Sequence, residues 1–112
     1  MENIKIYTIS DRVFEYYNKN TTHRAFSKHV LAKKLSVIIK NSVHKEEKVK
    51  DERKCTVYFL GNFYMYVDEF LEEIFWIGWG KCRYYPNGEK SKAIREDYKA
   101  LGFNNKGTQY KL

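Results

Sequence analysis

Apolar positions change their spacing several times along this chain, and each change predicts an element. Ile4 and Ile6 alternate with Lys5 and Tyr7, which predicts a first strand over Ile4 to Ile9. Ser10 or Asp11 then offers a capping oxygen for a short helix to about Asn18, with Val13, Phe14 and Tyr17 on its inner side. The polar run from Asn18 to Thr22 ends it. Leu31, Leu35, Ile38 and Ile39 recur at i, i+4, i+7 and i+8, and Phe26 and Val30 widen the stripe. That spacing predicts a longer helix from His23 to about Ser42, with Thr22 as its N-cap. Val43 to Lys54 is almost entirely charged, with both signs mixed, and reads as a solvated connector or a frayed extension of the helix.

The run KCTVYFLGNFYMYVDEFLEEIFWIGW, from Lys54 to Trp79, reads as three short strands joined by two tight turns. Gly61-Asn62 suits a type II′ hairpin turn, which sets Leu60 opposite Phe63, Tyr58 opposite Met65 and Thr56 opposite Val67. Tyr58, Leu60, Phe63, Met65 and Val67 then share a core face. Cys55, Val57, Phe59, Tyr64, Tyr66 and Asp68 share the other. Asp68 to Glu73 makes the next turn. Ile74 to Trp79 is the third strand and can continue through Lys81, Arg83 and Tyr85. Gly78 and Gly80 within it point to a bulge or to close approach of a backbone or ligand. Pro86-Asn87-Gly88 is a turn, and Lys90 to Leu101 a final helix with Ile94, Tyr98 and Leu101 buried and Gly102 as its stop. From about residue 103 the chain reads as a loosely ordered tail. The expected fold is a single α+β domain over residues 1–112, an antiparallel β-meander sheet with helices packed on one face.

Composition adds a direction to this scaffold. The chain has 112 residues, and 43% are hydrophobic, enough for one buried core. Lys and Arg number 21 against 14 Asp and Glu, a net charge of +7 that favours an anionic partner, RNA among them, with nucleic acid the leading class. Cys55 and Cys82 form no CxxC pair and no zinc spacing, so both are expected as buried thiols, with no metal and no cofactor. The opening MENIKIYTISDR lacks the apolar core of a signal peptide, and no stretch approaches the ~18 apolar residues of a membrane helix. A cytoplasmic location without membrane contact is the expectation.

No GxSxG, P-loop, GxGxxG or HExxH motif is present. Glu69, Glu72 and Glu73 read as a solvated hairpin tip. Metal-free RNA cleavage asks for less: a base for the 2′-hydroxyl, cations for the phosphorane charge and an acid for the leaving oxygen. His23 and Arg24, at the start of the predicted long helix, and Lys81 and Arg83, past the third strand, are the candidate catalytic residues. Lys28, one turn after Arg24, joins Arg53 and Lys54 at the head of the meander and Tyr85 beyond Arg83 as candidate nucleic-acid contacts. His29 and His44 read as solvent-exposed. Tyr58, Tyr64 and Tyr66 read either as a base-stacking surface or as cross-strand core pairs.

His23-Arg24-Ala25 opening a helix that ends in IIKNSV, then a polar loop, CTVYFLGNFYMYVD and EEIFWIGW, resembles the RelE-type ribonuclease toxins and their barnase-like and colicin-like relatives. The resemblance covers roughly residues 21 to 80 and is one of element order. It implies a metal-independent endoribonuclease with His23 as acid/base and Arg24, Lys81 and Arg83 as charge stabilisers. It also implies a small acidic antitoxin or immunity protein as partner. Unlike those toxins, this chain continues beyond the sheet into a helix and tail, where Tyr110 and Lys111 could stand in for their C-terminal basic–aromatic cluster. The Lys-, Asn- and Tyr-rich, proline-poor composition suits a phage or low-GC bacterial genome. Two other readings stand beside this one. The chain can be a non-catalytic phage- or mobile-element-encoded binding or inhibitor protein acting on nucleic acid or a host protein. It can also be a homodimer joined through its second aromatic face.

Overall fold

A computed structural model describes residues 4–21, 25 and 27–103. Its elements are β1 (Thr8–Ile9), α1 (Asp11–Asn20), α2 (Lys28–Lys40), β2 (His44–Lys50), β3 (Arg53–Asp68), β4 (Glu73–Tyr84) and α3 (Gly88–Ala100). They build one α+β domain around a sheet of order β1-β4-β3-β2. The meander is antiparallel from β2 to β4, but β1 runs parallel to β4, with Thr8 beside Glu73 and Ile9 beside Ile74. The sheet is therefore mixed and not the wholly antiparallel one that the sequence pattern predicts. The first strand is also shorter than the expected Ile4 to Ile9, because only these two residues find a partner strand.

Each helix starts where a side-chain oxygen satisfies a free backbone N–H. Ser10 Oγ accepts from the Val13 N–H at 3.2 Å, Ser27 Oγ from Val30 at 3.2 Å, and Asn87 Oδ1 from Lys90 at 2.8 Å. The cap at Ser27 makes α2 begin at Lys28, later than its apolar stripe suggested. Thr22, His23, Arg24 and Phe26 lie outside the described residues.

The charged run after α2 is the clearest correction. His44–Lys50 is a strand, paired with β3 from His44 opposite Phe59 to Lys50 opposite Arg53. Asp51 and Glu52 both take positive φ, 52° and 64°, the pattern of a two-residue I′ hairpin turn. Alternating charges suit this position, since an edge strand covered with Lys and Glu resists pairing with another sheet.

β3 is unbroken over 16 residues yet doubles back on itself. A straight strand of that length would span ~50 Å, whereas the whole molecule is 41 Å at its longest, and Arg53 Nη2 lies 2.9 Å from Asp68 Oδ2. The fold-back is at Gly61, whose φ of 63° with a negative φ at Asn62 matches the predicted II′ turn. The first half of β3 pairs with β2 and the second with β4. The bend keeps the two faces as the sequence sorted them. Phe63, Met65 and Val67, with Tyr58 at the margin, pack against Leu31, Leu35, Ile39 and Val13 of the helices and Ile74 and Ile77 of β4.

The helices are layered and do not all lie on the sheet. α1 lies against β4 and α2 against β1 and β3, while α3 packs on the far side of α2. There Tyr98, Ile94, Leu101 and Phe103 meet Val37, Val30 and Ile4, and Asp97 binds Lys40 Nζ at 3.1 Å and Asn41 Nδ2 at 2.8 Å. Buried Ser36 is satisfied by accepting the Tyr7 N–H at 2.9 Å and donating to the Ala32 carbonyl at 2.6 Å, which fixes the approach to β1 on α2.

Candidate nucleic-acid interface

Strand alternation sends the neighbours of the core residues to the opposite side of the sheet. Tyr64 faces Gly78 and Tyr66 faces Trp76 across the β3–β4 ladder. Phe75 is the extra residue of a bulge between Ile74 and Trp76, so it and Trp76 can both turn outward. No described helix crosses this side; only Arg12, from the first turn of α1, reaches its rim. The face covers itself with aromatic rings, well enough that Val57 beneath them is 1% exposed.

The rings form a connected series. Tyr84 stacks on His44 at 4.4 Å between centroids and 10° between planes, and both contact Phe59, at 5.0 Å and 5.5 Å. Phe59 meets Tyr64 at 6.3 Å, Tyr64 meets Tyr66 edge-on at 6.0 Å, and Tyr66 meets Phe75 at 6.3 Å. Cations lie over the far end. Lys50 Nζ is 4.4 Å from the Trp76 ring centre and 5.4 Å from that of Tyr66, Arg12 Cζ is 4.4 Å from Trp76, and Arg53 Cζ is 4.0 Å from Phe75. Each such contact is worth about 0.5–1 kcal/mol at an exposed site. Gly78 has a close neighbour, but it is a side chain and not the backbone or ligand expected: a Cβ there would collide with the Tyr64 hydroxyl and ring. The missing side chain lets Tyr64 lie flat across β4.

The predicted site residues fall into separate places. Lys81, Arg83 and Tyr85 are together. They line a depression of about 460 Å³ with Asn62, Gly80 and Cys82, beside the Gly61 bend. Arg53 and Lys54 sit at the start of β3, ~25 Å along the strand from that bend. Arg53 is a structural clamp. It donates to Asp68 Oδ2 through Nε (3.2 Å) and Nη2 (2.9 Å) and to Glu73 Oε1 at 3.0 Å. Those two carboxylates raise its pKa further, Glu73 first. Lys28 is bound to Asp11 at 2.7 Å and ties α2 to the start of α1. Lys54 is exposed and borders a second cavity, described below. His23 and Arg24 lie outside the described residues. His29 is exposed, as expected. His44 is not in a loop. It is a strand residue held between rings, with Nε2 3.3 Å from Glu46 Oε2. His44 and Tyr84 are the functional candidates that sequence reasoning missed, because their contact joins two elements forty positions apart. The nearest local signal was the even-numbered spacing of His44, Glu46, Lys48 and Lys50 on one face of β2.

The acidic hairpin tip is more organised than a solvated turn. Glu69 accepts from the Tyr58 hydroxyl at 2.5 Å and the Tyr7 hydroxyl at 3.4 Å. Burial first, and then the adjacent Glu69 carboxylate, push both phenols above their ordinary pKa, Tyr58 strongly. They serve as donors at neutral pH and not as bases. Beside Glu69 opens a cavity of about 630 Å³, also lined by Glu47, Lys48, Val49, Lys54, Cys55 and Thr56. Burial likewise raises the Cys55 thiol, and both cysteines are free. Among the described residues no group of three or more His, Cys, Asp or Glu could hold a metal ion, and no helix is long and apolar enough to cross a membrane.

No family model, no curated protein and no solved structure matches this chain.

Proposed function

We propose that the protein binds single-stranded RNA along the aromatic face of its sheet, which no described helix crosses. The observation that carries this reading is the ring series from Tyr84 to Phe75, with Lys50 and Arg12 held over the neighbouring Trp76. Single-strand binders combine these two parts, rings that stack on bases and cations that follow the backbone, and each stacked base is worth about 1–3 kcal/mol. Duplex RNA offers no base faces to such a surface. The net charge of +7 adds long-range attraction for any polyanion. Fluorescence anisotropy with a labelled single-stranded oligoribonucleotide tests the proposal, with a hairpin duplex as competitor. Binding should weaken with salt, by roughly 0.7 log units per log unit of salt for each phosphate contacted, and the duplex should compete poorly. Absence of binding at low salt, or equal competition by the duplex, rejects it.

A second reading is metal-independent RNA cleavage, the activity implied by the RelE-type resemblance. It is favoured by His44 of β2, which Tyr84 and Glu46 hold at the end of the same face, beside the end of β4 in which Lys81 and Arg83 alternate with Tyr84. In this reading His44 transfers protons and Arg83 and Lys81 neutralise the phosphorane. Incubation of the oligoribonucleotide with the protein in EDTA decides the matter. Cleavage lost in both His44→Ala and Arg83→Ala supports this site. Cleavage lost only in His23→Ala or Arg24→Ala assigns it to the helix-start pair. Intact RNA leaves binding without turnover.

A further inference from the structure

The ring series ends at Tyr84, and beside it the β3–β4 ladder loses its register. Trp79 stands opposite Phe63 and Tyr84 opposite Gly61, so the four residues from Gly80 to Arg83 face Asn62 alone. A bulge of this kind bends its strand and re-aims the side chains on it. Here its residues, with Asn62 and Tyr85, form the walls of the depression of about 460 Å³. Pockets of about 300–1,000 Å³ take small ligands.

The lining carries two cations and no carboxylate, whereas the cavity beside Glu69 sets Glu47 and Glu69 against Lys48 and Lys54. Lys81 and Arg83 are exposed and have no ion-pair partner among the described residues. Two unneutralised cations on one concave wall favour an anion. The Arg83 guanidinium is a planar fork that fits two oxygens of a phosphate, and Lys81 adds a point charge. The exposed Asn62 amide offers further donors. Tyr85 is 65% exposed, and its ring lies against the bend, where a Cβ on Gly61 would be 3.4 Å from it. An open ring beside paired cations suits a nucleotide, which brings a base to stack and a phosphate to neutralise.

We infer that this depression binds the terminal nucleotide of an RNA strand through a phosphomonoester at its 5′ or 3′ end. The inference rests on RNA binding along the aromatic face, whose Tyr84 end adjoins the depression. A phosphomonoester carries about −1.5 to −2 charges at neutral pH, more than an internal diester, and so matches the two cations better. Lys50 and Arg12 lie over Trp76, toward the other end of the face, so a bound strand meets cations at both ends.

Anisotropy titrations at fixed ionic strength test this with one internally labelled oligoribonucleotide carrying a 5′-phosphate, a 3′-phosphate or hydroxyls at both ends. One phosphorylated form should bind at least ~10-fold tighter than the hydroxyl form, and which one identifies the end. Arg83→Gln and Lys81→Gln, at exposed sites, should each bring that ratio toward one. Trp76→Ala should weaken all three forms and preserve the ratio. Equal binding of the three forms, or a preference that survives both Gln variants, overturns the inference and leaves binding along the face intact. An NMR titration with adenosine 5′- or 3′-monophosphate separates the two readings. One monophosphate should shift Gly80, Arg83 and Tyr85, and unphosphorylated adenosine should not. If no oligonucleotide binds while those shifts occur, binding along the face is wrong and the nucleotide site stands. No shift there from either monophosphate overturns the inference.

Discussion

The two faces of the sheet solve opposite problems with neighbouring residues. On the helix side Leu31, Leu35, Met65, Val67 and Ile74 have no accessible surface, and shape complementarity between aliphatic side chains holds the layers together. On the other side Tyr64, Tyr66 and Trp76 alternate with those core residues along the same strands, yet they are only half-buried, with Lys50 over Tyr66 and Trp76 and Arg12 over Trp76. One face uses up its apolar area in folding, while the other leaves ring surface and charge available. The second face also buries Val57, Phe59 and Phe75, but its tyrosines and Trp76 keep part of their ring surface exposed.

Mutations that act on one face and spare the other break this contrast most sharply. Leu35→Ala should cost about 2–5 kcal/mol of stability by opening a cavity in a site with no accessible surface, measured by urea unfolding. At a temperature where the variant is still folded, RNA affinity should be unchanged. Gly78→Ala should cost about 1–3 kcal/mol by displacing the Tyr64 ring. In a Tyr64→Ala background the same change should be nearly neutral, and a double-mutant cycle reads the coupling. Trp76→Ala should reverse the Leu35 pattern. Its melting temperature should fall only slightly, whereas RNA affinity should drop by about 1–3 kcal/mol, roughly 5- to 150-fold.

The smallest effect expected is on pH dependence. The Leu71 N–H first, and then Arg53, hold the Asp68 carboxyl below the ordinary carboxylate range. The folded state therefore takes up this proton less readily than the unfolded chain. The stabilisation is complete above the ordinary value of about 3.9 and is lost as pH falls through the lowered one. Arg53→Gln should weaken the clamp and flatten part of the acid limb in a melting series run downward from neutral pH. An unchanged acid limb would mean that the Leu71 hydrogen bond alone sets the shift.

What could be read from the sequence was local. The Gly61 turn, the sorting of β3 residues into two faces and the apolar stripe of α2 each follow from neighbours in the chain, and each is present in the fold. β2 was hidden because HKEEKVK has no hydrophobic alternation; it becomes a strand by pairing with β3, a choice made by its partner. The parallel docking of β1 was hidden for the same reason, since Thr8 meets Glu73 across most of the chain. For the site, Lys81, Arg83 and Tyr85 were legible as a basic rim because they alternate along one strand end. Arg53 looked like a free cation until β3 doubled back and delivered Asp68 to it. His44 looked solvated until Tyr84 closed over it.

The division of labour between the two faces can be watched residue by residue in an NMR titration of isotope-labelled protein with a short single-stranded RNA. The account predicts chemical-shift changes concentrated at His44, Phe59, Tyr64, Tyr66, Trp76 and Tyr84, with Leu31, Leu35 and Val67 unmoved. Shifts confined to other surfaces, or none at saturating RNA, would contradict it.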